Sequence, residues 1–231
     1  MNNTVRCRRL CRRFKQGGQT IQGLNNVDLD IASGEFICLT GPSGSGKTTL
    51  LNAIGGLDKP DSGEITIGDI ALNQLDQTAL AELRLNHIGF VFQSYNLIPV
   101  LSAQENVEFI LMMQGVNSEE RSARAADMLK EVGLEGLSSR RPNELSGGQQ
   151  QRVAVARAIV SQPSLVLADE PTANLDSQTS RQLLALFADL NQRHGTSFVI
   201  ASHDERVQDF AKRLIRMQDG SIIEDRPLGS R

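Results

Sequence analysis

The stretch that most limits how this chain can fold is Phe36-Ile37-Cys38-Leu39-Thr40, followed at once by Gly41-Pro42-Ser43-Gly44-Ser45-Gly46-Lys47-Thr48. The apolar run reads as a strand buried on both faces. Thr48-Thr49-Leu50-Leu51-Asn52-Ala53-Ile54 then reads as a helix, which Gly55-Gly56 ends. Between them lies the G-x-x-x-x-G-K-[ST] spacing. In a strand–loop–helix setting its glycines let backbone N–H groups close around phosphate oxygens. Lys47 would bridge the terminal phosphates as a point charge, and the Thr48 hydroxyl would coordinate Mg²⁺. The expected class is α/β, with ligands at the carboxyl ends of buried strands.

Other strand ends carry polar groups suited to that site. Ile88-Gly89-Phe90-Val91-Phe92 reads as a buried strand ending on Gln93, within reach of a metal and an attacking water. Leu165-Val166-Leu167-Ala168 delivers Asp169 and Glu170 to its end. Consecutive side chains on a strand point apart, so Asp169 is expected to hold Mg²⁺ through water while Glu170 polarises the attacking water as general base. Phe198-Val199-Ile200-Ala201 leads to His203, placed to contact a γ-phosphate, whereas His87 and His194 read as ordinary polar residues. One feature does not fit a site made by a single chain. Leu145-Ser146-Gly147-Gly148-Gln149-Gln150-Gln151-Arg152 reads as the start of a second helix with bare N–H groups, a second anion-binding end.

The rest of the chain frames these ends. Residues from about Asn3 to Ile31 read as short strands and turns with a hairpin at Gly17-Gly18, Glu64–Ile67 as an added antiparallel strand, and 214–223 as a closing hairpin. Residues 96–136 read as mostly helical, with Val107, Phe109, Ile110, Leu111, Met112 and Met113 forming an apolar face. Ser94–Leu101 is a candidate groove for a partner helix. The 231 residues carry a formal net charge of −3, which argues against nucleic acid as a general partner. The local exception is Arg6, Arg8, Arg9, Arg12, Arg13 and Lys15, either the solvated side of a strand or an attractor of anionic lipid or nucleotide. Cys7, Cys11 and Cys38 lack zinc spacing and read as free thiols of a reducing compartment. No stretch approaches the roughly 18 apolar residues of a membrane span, and the start lacks an apolar segment of signal type, so the expectation is a cytosolic protein that reaches a membrane only through a partner.

The ordered set Gly41–Thr48, Gln93, Leu145–Gln149, Leu165–Glu170, Ala173–Asp176 and His203 resembles the ATP-binding subunit of ABC transporters over nearly the whole chain. Within that family it is similar to the lipoprotein-releasing and macrolide-efflux ATPases (LolD/MacB-type). The runs that carry this are Ile88–Gln93, Arg141–Gln149 and Ala168–Asp176. The resemblance implies a P-loop NTPase with a mixed sheet core (about 1–93 and 160–231), an antiparallel β subdomain, and a helical subdomain at about 94–159. It implies that Gly41–Thr49 bind ATP, with Lys47, Gln93, Glu170 and His203 in the catalytic set and Thr48, Gln93 and Asp169 at the metal. It also explains the second anion end. Two chains of the family pair head to tail, so Ser146, Gly147, Gly148, Gln149 and Asp176 would serve the partner's ATP in trans. Where the family places an adenine-stacking tyrosine this chain has Phe14, which keeps the ring face and loses the hydroxyl.

The implied function is an ATPase that dimerises on ATP and drives an integral membrane permease docked near Ser94–Leu101 on the cytoplasmic face of the inner membrane, in export, extraction or mechanotransmission. An ABC ATPase that signals through a membrane protein to cell-wall enzymes would share every motif. A soluble ABC protein of DNA or ribosomes would usually carry tandem cassettes or a coiled-coil insertion. A clamp that never hydrolyses is disfavoured by Glu170 and His203 together.

Overall fold

The computed structural model describes residues 3–229. Its first strands, β1 (Asn3–Gln16) and β2 (Gln19–Ala32), are 14 residues each and pair antiparallel around the expected Gly17-Gly18 turn. They are longer than the sequence pattern predicts, for a physical reason. The register shifts between Cys7 and Leu10 and again around Arg12, and Arg9 sits at φ 49, so the inside–outside alternation is reset while pairing continues.

In chain order the further strands are β3 (Phe36–Thr40), β4 (Ser62–Ile67), β5 (Ile70–Ala71), β6 (Ile88–Phe92), β7 (Leu165–Asp169), β8 (Ser197–Ala201), β9 (Arg213–Gln218) and β10 (Ser221–Pro227). They form two sheets. One is antiparallel, in the order β2-β1-β4-β5. The other runs β10-β9-β3-β8-β7-β6, parallel except for β10. The expected mixed core with an antiparallel addition is therefore present. Strands β3, β7 and β8 are covered on both sides, which is why they read as unbroken apolar runs.

Two buried clusters hold the sheets. One joins Val5, Leu29 and Ile65 of the antiparallel sheet to Ile37, Leu39, Leu167 and Val199 through Leu50, Leu51 and Ile54 of α1 (Lys47–Ile54). The other lies on the opposite face, where Phe36 and Phe198 meet at 5.8 Å and Phe187 of α6 (Ser177–His194) reaches Phe198 at 5.6 Å. It runs on into α3 (Ala103–Met113), α4 (Ser118–Glu131) and α5 (Gly147–Ile159). α2 (Gln77–His87) precedes β6 and is capped by Asp76, which accepts from Ala79 N–H at 2.8 Å.

Two expectations need correcting. The helix read from Asn96 begins only at Ala103, where Ser102 and Glu105 form a capping box and Pro99 lies just upstream. Val107 and Leu111 are buried as expected, but Met112 and Met113 are 45% and 57% exposed. A helix turns about 100° per residue, so a run of consecutive apolar residues cannot all face inward. The basic N-terminal run resolves as a solvated, paired face. Arg8 reaches Asp30 at 2.8 Å, and Arg12 reaches Asp58 at 2.7 Å and Asp61 at 2.8 Å. Cys7 and Cys38 are buried free thiols, and burial pushes both up to about 12, far from a reactive thiolate.

Candidate active site

Parallel register sets the site. Leu39 pairs with Ala201, Ala201 with Asp169, and Asp169 with Phe92, so the ends of β3, β8, β7 and β6 lie side by side. The residues just beyond them meet in one row: Gly41, His203, Glu170 and Gln93. His203, Glu170 and Gln93 border a cavity of about 660 Å³ lined also by Ser43–Thr49, Phe14, Ile21, Gln22, Gly23 and Ala173, while Gly41 and Pro42 lie just behind its lining.

The glycine loop is locked by close approach. Gly41 (φ 149) lies against the Met217 carbonyl and Gly46 (φ 102) against the Gly23 carbonyl, so a Cβ at either would collide with backbone. No side chain caps α1, and its first N–H groups open onto the loop. The buried Lys47 turns its ammonium into the loop, donating to the carbonyls of Gly41 at 2.8 Å and Pro42 at 3.1 Å. Ser45 Oγ is buried without a hydrogen-bond partner. Buried polar groups rarely stay unpaired.

The second orphan is Asp169 Oδ1. Burial pushes the Asp169 carboxyl up, the Glu170 charge adds to this, and the Thr48 hydroxyl, which donates to Asp169, and the Lys47 charge pull it down. Thr48 and Gln93 line the cavity, and Asp169, which Thr48 bonds, ends the strand paired with β6 just behind that lining; a hydroxyl, a carboxylate oxygen and an amide oxygen are hard donors of the kind that suits Mg²⁺. Gln93 is tied to Asn174, whose Nδ2 donates to the Gln93 carbonyl at 3.1 Å.

Glu170 diverges from Asp169 differently from the expected pleat alternation. Asp169 is the last residue of β7, and Glu170 lies beyond it in left-handed backbone at φ 47, its N–H donating to Ala201 O at 2.8 Å. Glu170 Oε2 faces His203 Nδ1 at 2.9 Å and accepts from Ser202 Oγ at 3.2 Å. A left-handed non-glycine residue is uncommon and collects at functional sites. The turn carrying His203 is braced from behind. Asp204 accepts from Arg206 Nε at 2.8 Å and from Thr172 Oγ1 at 3.3 Å; burial alone would raise its carboxyl, but these bonds hold it low.

At the far end Phe14 is 37% exposed, with the Arg12 guanidinium 5.0 Å from its ring centroid. Thr49 also lines the cavity. Ile21, Gln22, Gly23 and Ser202 were not legible as site residues, and Ala173 was legible only as the start of the Ala173–Asp176 run. Gly23 sits beneath the Phe14 ring, where a Cβ would meet Cε2, and only the β1–β2 pairing shows this.

Ser146, Gly147, Gly148, Gln149 and Asp176 do not line this cavity. Ser146 begins α5 with a capping box: its Oγ accepts from Gln149 N–H at 3.3 Å, and Gln149 Oε1 accepts from Ser146 N–H at 2.8 Å. The end is therefore less bare than the sequence implies. Gly147 packs under the Tyr95 hydroxyl and Gly148 against Thr179. Asp176 caps α6, accepting from Gln178 and Thr179 N–H and from the Thr179 hydroxyl, and these bonds hold its carboxyl below the usual range, the Thr179 hydroxyl most. His194 reaches Glu131 at 3.0 Å, and the exposed His87 lies outside the cavity.

Residues 24–173 match the family model described as ABC transporter. The chain belongs to that family. It is 43% identical over 226 residues to the lipoprotein-releasing system ATP-binding protein LolD of Chromohalobacter salexigens, covering 97% of this chain and 95% of the relative. It is 45% identical over 223 residues to the macrolide export ATP-binding/permease protein MacB 2 of Yersinia pestis bv. Antiqua, covering 96% of this chain but 33% of that longer protein. Among solved structures, the dimeric post-hydrolysis state of the ATP-binding cassette MJ0796 bound to ADP and Pi aligns with a TM-score of 0.90 at 44% identity, covering 97% of this chain and 99% of that one. The chain is thus an ABC ATPase, a nucleotide-binding subunit that hydrolyses ATP. No helix among the described residues is long and apolar enough to cross a membrane.

Proposed function

We propose that this ABC ATPase works as an ATP-dependent homodimer that drives a membrane partner in LolD/MacB-type export or extraction from the cytoplasmic face of the inner membrane. The observation that carries the reading is the division of the phosphate-binding ends. Ser43–Thr49 line the nucleotide cavity, while Ser146–Gln149 lie outside it with no ligand of their own chain. A second copy turned head to tail would bring its Ser146, Gly147, Gly148, Gln149 and Asp176 to this cavity. The γ-phosphate then neutralises both anion sites at once, and its loss loosens the pair.

Each residue has a task in that scheme. The loop N–H groups and Lys47 hold the β- and γ-phosphates, and Phe14 offers its ring to adenine. Thr48, Asp169 and Gln93 would hold Mg²⁺, which when bound neutralises phosphate charge. Glu170 takes a proton from the attacking water as its oxygen bonds to the γ-phosphorus and the bond to the ADP oxygen breaks. His203 orients Glu170 and reaches toward the γ-phosphate. The core of 1–93 and 160–231 would carry the nucleotide and the helical part of 94–159 the partner contact, at Ser94–Leu101. A cleft of about 340 Å³ is bordered by Leu57, Phe90, Phe92, Ile110 and Arg157, and Arg157 is the one of these that bonds that segment, at the Tyr95 and Asn96 carbonyls.

Glu170→Gln tests this. With ATP, size-exclusion chromatography should show a stable dimer and phosphate release should stop. A monomer that still hydrolyses ATP would contradict both the base assignment and the paired site.

A further inference from the structure

The turn that follows Gln93 is held by α5 as well as by the strand that delivers it, whose Phe92 carbonyl accepts from Tyr95 N–H at 3.2 Å. Tyr95 (φ 60) and Asn96 (φ 49) are consecutive residues in left-handed backbone, a conformation that needs outside support in non-glycine residues. Arg157 supplies that support. Its Nη1 donates to the Asn96 carbonyl at 2.7 Å and its Nη2 to the Tyr95 carbonyl at 3.1 Å. Two further residues of the same helix grip the turn. The fully buried Gln151 donates from Nε2 to the Phe92 carbonyl at 3.4 Å, and Gly147 packs under the Tyr95 hydroxyl. Downstream, Asn106 closes the segment by bonding Ile98 and Leu101.

We infer that Arg157 is a positioning residue for hydrolysis, fixing Gln93 at the cavity by clamping the Tyr95–Asn96 carbonyls to the helix that begins at Ser146. It does not line the nucleotide cavity and acts through Gln93. A planar guanidinium presents two parallel donors to two successive carbonyls, a geometry an ammonium cannot copy. Burial pulls the Arg157 guanidinium down from its ordinary value, a desolvation cost that the bonds to the two carbonyls oppose. Because α5 is capped by Ser146 and carries this clamp in its last turn, the position of Gln93 is referred to the segment that would meet the partner's ATP.

The inference rests on Gln93 belonging to the hydrolytic site, and a double-mutant cycle separates the two. Gln93→Ala should lower kcat. Arg157→Met should lower kcat about tenfold with KM for ATP within about twofold, as a displaced catalytic group does. The double variant should be no slower than Gln93→Ala alone. Arg157→Lys, which keeps the charge and can serve one carbonyl, should fall between wild type and Arg157→Met, and it replaces Met in the cycle if the Met variant does not fold. Losses that multiply in the double variant, or an Arg157 variant with wild-type kcat, would overturn the role of Arg157 while leaving Gln93 in place. A wild-type kcat in Gln93→Ala would overturn both.

Discussion

The N-termini of α1 and α5 both offer backbone N–H groups to an anion, and they are kept ready in opposite ways. At α1 the cap is Gly46 in left-handed backbone with no side-chain cap, and the nearby Lys47 charge is parked on the loop's own carbonyls. At α5 the cap is Ser146, closed by a reciprocal bond with Gln149. The first end is a cradle whose shape is fixed by glycines pressed against backbone, and an arriving phosphate only has to draw the Lys47 ammonium from two carbonyls. The second end is satisfied when alone and must trade weak internal bonds for a charged ligand. A helix end that seals itself does not collect phosphate in an isolated chain. That difference is what a site completed by a second copy requires.

Mutations can break this contrast, beginning with the largest effect. Lys47→Ala removes the charge at the cradle and should lower turnover by about a hundredfold or more, measured as phosphate release at saturating ATP. Ser146→Ala should slow turnover and also remove the cap of α5, costing about 0.5–2 kcal/mol. At roughly 2–4 °C per kcal/mol for a chain of this size, that is a visible fall in Tm. Lys47→Ala removes no such cap and should shift Tm less.

The smallest effect has the opposite sign. The folded Asp169 carboxyl titrates above its ordinary value of 3.8, chiefly through burial. Its protonated form therefore favours folding, and that contribution is lost as pH rises through the raised value. At neutral pH the ionised, half-satisfied group is a cost, so Asp169→Asn should raise the Tm of the nucleotide-free protein while abolishing turnover. The gain should be about 1 kcal/mol at pH 7 and shrink toward pH 4. A variant less stable than wild type at pH 7 would show that the orphaned oxygen carries no penalty.

Much of the site was legible because its residues stand at ends of buried parallel strands, where chain order and residue type suffice. Gly41, Gln93, Asp169, Glu170 and His203 all fall there, and the order β3-β8-β7-β6 makes them neighbours. What depended on long-range pairing was not legible. Gly23 looks like any turn glycine until β2 brings it under Phe14, and Arg12 looks like free charge until Asp58 and Asp61 arrive from the loop after α1. The clamp of Arg157 on Asn96 spans 61 residues, and no local pattern announces it. Met112 and Met113 misled because an apolar run does not state which face is inward.

The central claim, that each ATP site is made by two chains, is tested most directly by mixing two inactive variants. Lys47→Ala lacks the cradle and keeps the Ser146 end, whereas Ser146→Arg keeps the cradle and blocks that end by charge and bulk. Each alone should bind as its intact half allows and hydrolyse almost nothing. Mixed, they should recover ATPase activity that rises with the product of the two concentrations, because a mixed pair holds one intact site. Mixtures that stay as inactive as the separate variants, or a Ser146→Arg chain that hydrolyses ATP unaided, would contradict the account.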